Sequence, residues 1–325
     1  GVFGLRKVGK TSLLRRTAEK LREGGVAKGR ALVVEVDLLK TPFGSRDLAG
    51  VANLIGNQLD HALAQDGTLS RPALEDPLAR LEATVVRVER DFGARTMLFL
   101  DEYELLLDGR LPTRDGVELL SWLRGLAQSH RGAFGFVLAG RNARLIASAR
   151  IEGVDNPMYR FLRDFPLAGL SPEDCRAMLR KIGGRLGLQF TTDALNLIVA
   201  ETGGHPSLAR TFGDLVDQSI PTTARTPARV DIAAVQHVAP RFSREVEQDM
   251  RELVNAATDV DPRAEDHLAH LAFGVPWLGG AVEARIDDAL ARYGILRAEP
   301  VDFRIRHFRD WLRENYACPT VAAHG

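Results

Sequence analysis

The stretch GVFGLRKVGKTSLLRR, residues 1–16, constrains the chain more than any other. Gly4, Gly9, Lys10 and Thr11 fall in the spacing G-x-x-x-x-G-K-[ST], and each residue type there has a physical task. The glycines let the backbone turn tightly and come close to an anion. Successive amides then point inward at the start of the helix KTSLLRRTAEKLRE, where the helix dipole favours negative charge. Lys10 brings a cation to the β- and γ-phosphates of a nucleotide, and Thr11 brings a hydroxyl to Mg²⁺. Lys7, Val8 and Ser12 complete the expected lining of the loop. The motif requires a strand before it, and GVF supplies only the end of one, since an average strand has about five or six residues. The expectation is a first strand cut short, in a fragment or a late-starting gene model, with an upstream sensor or effector segment left out.

The segments after the loop predict a parallel sheet. ALVVEVDL (31–38) is a buried strand by its continuous apolar run, and TMLFLDEYE (96–104) and AFGFVLAGR (133–141) read the same way. RDFPLAGLS (163–171) holds a short fifth strand. Between these, roughly 45–65, 74–92 and 115–130, apolar residues recur at helical spacing. Strands alternating with amphipathic helices predict an α/β fold, a three-layer αβα core with helices on both faces of a parallel sheet. From Ser171 the pattern turns helical. SPEDCRAMLRK opens with the Ser, Pro and acids of a helix start, and no convincing strand follows until after about 256. IPTTARTPARVD (220–231) reads as a loop. After DVDPRAED come helices near 264–273 and 280–292, two short strands within GILRAEPVDFRIRHF, and a final helix at RDWLREN, the layout of a winged helix. The expected division is a core at 1–170, a helical lid at 171–257, a winged helix at 258–316 and an unstructured tail at 317–325.

A second acidic motif supports the first. MLFLDEYE places Asp101 and Glu102 at the end of an apolar strand, the end that borders the ligand crevice in a parallel sheet. Asp101 is the expected holder of Mg²⁺, directly or through water. Glu102 is the expected base that orients and deprotonates the attacking water. Glu104 is a rival for that role, and a solvated acid at a helix start is the plain alternative. FVLAGRN ends the next strand with Arg141 and Asn142, a polar pair able to reach the γ-phosphate, with Arg141 stabilising charge on the transferring group. Its plain alternative is a surface arginine capping a loop.

Composition narrows the field. The 325 residues carry 43 basic and 43 acidic side chains, a formal net charge of zero, so no global field drives the chain to nucleic acid or anionic lipid. Two cysteines without partner motifs fit a reducing, cytoplasmic setting rather than a disulfide framework. No apolar run reaches membrane-spanning length. Guanine recognition through N-K-x-D is missing from the sequence, and DFG at 91–93 lacks every other kinase part.

Taken in order, FGLRKVGKTSLLRR, LFLDEYE, LAGRN and TGGHPSLAR resemble a bacterial STAND-type P-loop ATPase, within the AAA+ class. The resemblance covers about residues 1–316. It implies that Gly204, His205 and Pro206 form the family's G-x-P bend, whose proline packs against the base and ribose of bound ATP or ADP. Physically, such a bend brings rigid backbone close to a ligand. Origin-recognition-type AAA+ proteins instead carry an arginine near this helix start. Here Ser207 follows the proline, and Arg210 comes one turn later. The resemblance also implies that His307, just before the last helix, contacts the β-phosphate of ADP, although Phe308 stands where the family's aspartate follows.

Two functional readings result. The first is a nucleotide-controlled switch in signalling or defence, closed with ADP and opened by exchange for ATP, with slow ATP hydrolysis resetting it and with partners in self-association or in sensor and effector segments outside this stretch. The second is an origin-recognition-like ATPase whose winged helix binds DNA. The candidate recognition helix GGAVEARIDDALARYG carries Glu283, Asp287 and Asp288 against Arg285 and Arg292, and a slightly acidic helix suits a lid better than a DNA reader. A blander third reading is a nucleotide-binding fragment without turnover.

Overall fold

The parallel run of strands is set by apolar segments that are buried along nearly their whole length, as strands covered by helices require. The computed structural model describes the chain apart from residues 24, 41–46, 108, 110, 142–147, 222–226 and 321–325. The chain divides into two compact units. The first comprises Gly1–Phe3 and Lys10–Phe165, and the second comprises Gly4–Gly9 and Pro166–Gly325.

In the first unit, strand β1 (Val2–Phe3), helix α1 (Lys10–Arg22), strand β2 (Ala31–Asp37), helices α2 (Leu48–Asp66) and α3 (Pro77–Phe92), strand β3 (Arg95–Asp101), helix α4 (Thr113–Ser129) and strand β4 (Phe134–Gly140) follow one another. A small antiparallel pair, β5 (Arg150–Ile151) and β6 (Val154–Asp155), comes next. Strand β7 (Phe165–Pro166) completes a five-stranded sheet of order β2-β3-β4-β1-β7. The β2–β3, β3–β4 and β1–β4 ladders are parallel. This is the α/β P-loop core expected from the alternation of strands and helices. The expected strands and helices fall within a few residues of their observed bounds.

Helix α3 shows how local sequence builds a layer. Asp76 caps it by accepting from the amides of Leu78 at 2.8 Å and Ala79 at 3.1 Å. Pro77 takes the first turn, where its missing N–H costs nothing. Leu81, Thr84, Val85 and Val88 form the buried stripe, the spacing that places side chains on one helix face. Gly93, at φ 59°, ends the helix in the left-handed conformation that glycine accepts without strain.

Register sets where the chemistry sits. Asp101 pairs with Asp37 on one side and Ala139 on the other, and Val2 also pairs with Ala139. The carboxyl ends of β2, β3, β4 and β1 therefore reach one edge together.

The second unit carries helices α5 (Pro172–Arg185), α6 (Thr192–Thr202), α7 (Pro206–Ser219), α8 (Ile232–Glu245), α9 (Glu247–Val260), α10 (Ala264–Phe273) and α11 (Ala281–Arg292), the hairpin of β10 (Leu296–Ala298) and β11 (Val301–Phe303), and helix α12 (Arg306–Asn315). The expectation of no strand between 171 and 256 is wrong. β8 (Leu188–Phe190) and β9 (Ala228–Val230) pair in parallel. Each has three residues, too few to show an alternating pattern, and β9 falls inside the stretch read as a loop. Cys175 is buried and Cys318 exposed, both free. Among the described residues no helix is long and apolar enough to cross a membrane.

Gly140, the last residue of β4, lets the turn after β3 close onto the sheet. A Cβ there would lie 2.4 Å from the Tyr103 ring, and that ring is 2% exposed and cannot swing away. Gly140→Ala is expected to lower stability by about 1–3 kcal/mol, the usual cost of overpacking, read as the urea midpoint. An unchanged midpoint would mean that the turn moves freely.

Candidate functional site

In the first unit the Lys10–Thr11 end of the loop motif and the acidic motif meet at the carboxyl edge of the sheet. Thr11, in the first turn of α1, donates its hydroxyl hydrogen to Asp101 Oδ2 at 2.5 Å. Asp101 is 7% exposed, and its Oδ1 accepts from the Glu102 amide at 3.1 Å. Lys10 is 5% exposed. Burial pushes its ammonium below the ordinary lysine range, while Glu102, Glu104 and Asp101 act in the opposite direction and Arg141 adds to the lowering. A buried cation among carboxylates beside a helix start with no acid in its first turn is an arrangement suited to an incoming anion. The donors facing each other, a hydroxyl and a carboxylate, are hard oxygen ligands of the kind Mg²⁺ takes. Among the described residues no group of three or more His, Cys, Asp or Glu could hold a metal by itself, so a cation here would draw its other ligands from phosphate and water.

Glu102 sits at φ 57°, ψ 46°. That left-handed conformation costs a non-glycine residue about 1–3 kcal/mol and is found where the surroundings enforce it, often at functional sites. Next to it, the ring of Tyr103 packs edge-on to Phe3 with centroids 5.7 Å apart. Glu104, one residue further, accepts from the Arg141 amide, and the Arg141 Nε lies 3.8 Å from its Oε1. Arg141 is 55% exposed, at the edge of the site rather than inside it. Its companion Asn142 lies outside the described residues. Ser12 is exposed. A cavity of about 340 Å³ opens beside Thr11 and Asp101, floored by Val33 and Phe99 and flanked by Arg22, Glu35 and His61. Of its lining, Thr11 and Asp101 belong to sequence motifs, and the rest of the wall comes from segments without a signature.

The second unit holds loop residues 4–9. Gly9, at φ 108°, has open space where a Cβ would stand, whereas a Cβ on Gly4 would meet the Leu167 carbonyl at 2.4 Å. The two glycines of the motif therefore serve different ends, one conformational and one steric. Lys7 is left-handed at φ 60° and exposed, its Nζ 2.8 Å from Asp249 Oδ1. Val8 is buried. Arg6 pairs with Glu252 at 3.0 Å. The Arg6 carbonyl accepts from His205 Nε2 at 3.0 Å.

Pro206, half-buried, opens α7. His205 caps that helix, its Nδ1 accepting from the Leu208 amide at 3.4 Å. The G-x-P bend and the loop thus meet through the histidine between glycine and proline. His307 is engaged elsewhere. Its ring stacks edge-on against Phe242 at 5.1 Å, and burial pushes its imidazolium below the ordinary range. Sequence reasoning placed His205 in the bend without giving its side chain a role, and it missed Asp249, Glu252 and Tyr103, which carry no signal.

Residues 2–146 match the family model of an AAA domain. No curated protein matches the chain. Among solved structures it is similar to the Walker-type ATPase PABY2304 of Pyrococcus abyssi, 15% identical, with 96% of this chain and 90% of that one covered and a TM-score of 0.59. It is also similar to the ORC2 protein of Aeropyrum pernix solved as ADPNP–ADP complexes, 16% identical, covering 97% of this chain and 87% of that one at a TM-score of 0.52. At such identities the likeness is one of fold.

Glu104 yields a test of the electrostatics. Burial raises its carboxyl above the ordinary range, against the Arg141 amide and Lys10, which lower it. Its Oε2 has no hydrogen-bond partner among the described residues. A carboxyl raised in the folded state favours folding while protonated, and that contribution is lost as pH climbs above the ordinary value of 4.5. Glu104→Gln is expected to gain melting temperature relative to wild type as pH is raised from 4.5 to neutrality. A difference that stays flat with pH would show a solvated carboxyl.

Proposed function

We propose that this chain is a STAND-type ATPase of the AAA+ class, a nucleotide-controlled switch that binds ATP or ADP with Mg²⁺ and hydrolyses ATP slowly. The observation that carries the reading is the Thr11–Asp101 contact at 2.5 Å beside the buried Lys10. In this reading Lys10 holds the β- and γ-phosphates. The amides of residues 4–12, with Gly4, Lys7, Val8, Gly9 and Ser12 in the loop, cradle them. Thr11 and Asp101 hold Mg²⁺, which supplies charge neutralisation on the phosphates when bound. Glu102 orients a water and takes its proton. Arg141 reaches the transferring group from the rim. Pro206 packs on the base and ribose. Residues 171–257 act as a lid and 258–316 as a winged helix. Self-association, or sensor and effector segments beyond this stretch, would read the state out.

The second reading, an origin-recognition-like ATPase whose winged helix binds DNA, is disfavoured by where the arginines that follow the hairpin go. Arg304 donates to the Gly203 carbonyl at 2.8 Å and the Leu170 carbonyl at 2.9 Å. Arg306 lies 3.6 Å from Glu201. On α11, Arg285 bonds Asp261 at 2.7 Å and Arg292 lies 3.4 Å from Asp288. Cations already paired within the protein release few counterions on meeting a phosphate backbone. His307, stacked on Phe242, has a packing role that accounts for its place, and it enters the reading only as a contact that an ADP-bound state would have to form.

Denaturing the purified protein and identifying the released nucleotide tests the reading. Near-stoichiometric ADP is expected from wild type and none from Lys10→Ala. Glu102→Gln is expected to keep binding and to slow hydrolysis about 10²–10⁴-fold, the usual contribution of a general base. Normal turnover in Glu102→Gln would remove Glu102 from the base role. Steep salt-dependent retention of duplex DNA would favour the second reading.

A further inference from the structure

His205 occupies the variable position of the bend and is 6% exposed. Everything around it is built to hold it still. Gly203 and Gly204 are left-handed at φ 60° and 76°, and a Cβ on either would strike backbone, the Arg304 carbonyl at 2.7 Å or the Leu170 carbonyl at 2.4 Å. The Leu170 amide donates to the Gly204 carbonyl at 3.0 Å. The guanidinium of Arg304 ties the Gly203 and Leu170 carbonyls together from the other side. Pro206 then fixes the next backbone torsion.

The two ring nitrogens have assigned partners. A carbonyl can only accept, so the contact with the Arg6 carbonyl at 3.0 Å requires a proton on Nε2. An amide can only donate, so the contact with Leu208 requires a lone pair on Nδ1. The imidazole is therefore the neutral Nε2–H tautomer, and it joins the start of α7 to the middle of the phosphate loop. Two ion pairs flank this bond, Arg6 with Glu252 and Lys7 with Asp249. Arg6 is 60% exposed and Lys7 49%, and surface pairs of this kind add little by themselves. The part-buried histidine bond is the member that orients the loop, because it alone of the three holds the loop's backbone rather than a mobile side chain.

We propose that His205 is a positioning residue for the phosphate loop. By holding the Arg6 carbonyl it fixes the turn of residues 4–9, and so sets the affinity for nucleotide through the loop. The proposal rests on the nucleotide reading for its consequence, but the clamp itself can be measured without any nucleotide.

Amide hydrogen exchange over residues 4–9 in nucleotide-free protein, together with ADP affinity, tests it. His205→Asn keeps a good helix cap but is too short to reach the Arg6 carbonyl. His205→Gln restores a donor of greater reach. Exchange over 4–9 is expected to rise about tenfold in His205→Asn, and ADP affinity to fall about tenfold, the equivalent of one buried hydrogen bond, with KM moving more than kcat. His205→Gln is expected to recover most of both. Unchanged exchange in His205→Asn overturns the clamp. Raised exchange with unaltered ADP affinity overturns its role in binding. A His205→Gln protein no better than His205→Asn reduces the residue to packing. If wild type binds no ADP at all, the nucleotide reading fails, and exchange over residues 4–9 alone decides whether the clamp exists.

Discussion

The edge-on contact between Tyr103 and Phe3 is the interaction on which the core's chemistry depends. β1 has only two residues and could not by itself define where the next loop and helix begin. Tyr103 comes directly after the two acids at the end of β3, and its ring is wedged between Phe3 and the bare backbone of Gly140. The exits of β1, β3 and β4 are thereby locked at one level. Glu102 pays with a left-handed backbone. The result is that Asp101 faces Thr11 at hydrogen-bond distance and that Lys10 is buried within the influence of three carboxylates. Parallel register alone would bring the strand ends to the same edge, but it would leave the direction of each side chain open.

The same economy of backbone operates at the G-x-P bend. Two left-handed glycines, a proline and an arginine spanning two carbonyls restrict one short corner to one conformation. Such rigidity has no purpose in an ordinary helix start, where a Ser or Asp cap suffices, as Ser171 and Asp231 show at the starts of α5 and α8. The corner differs in using its cap residue twice, once for the helix amide and once for a carbonyl 199 residues away in the chain. A histidine is suited to this because its two nitrogens lie on opposite sides of a rigid ring, whereas a serine oxygen would have to serve both partners from one place.

How much of this is legible in the sequence depends on the range of the interactions. The sheet and its helices announce themselves through periodicity, and caps such as Asp76 and Pro77 through local chemistry. The loop and acidic motifs are legible because the spacing is itself the chemistry. β8 and β9 are not, since three residues carry no period and their pairing is nonlocal. Tyr103 looks like any apolar residue after a strand. Asp249 and Glu252 sit on α9 among other acids, and only the folded backbone shows that they are the ones beside Lys7 and Arg6. The cavity beside Thr11 and Asp101 is invisible for the same reason.

The two histidines separate pattern from physics. His307 draws notice because a family places a histidine near the last helix, yet its ring lies against Phe242, and its Nε2 has no hydrogen-bond partner among the described residues. Burial there favours the neutral ring, which makes it a poor resting contact for a phosphate. His205 is also buried, but both of its nitrogens are satisfied by backbone groups of fixed polarity. A buried ring with one assigned tautomer transmits position, because shifting the loop carbonyl would break its bond to the ring. A buried ring with an open nitrogen transmits nothing until a partner arrives. Of the two, the one inside the G-x-P bend is the one the fold has built into the phosphate loop.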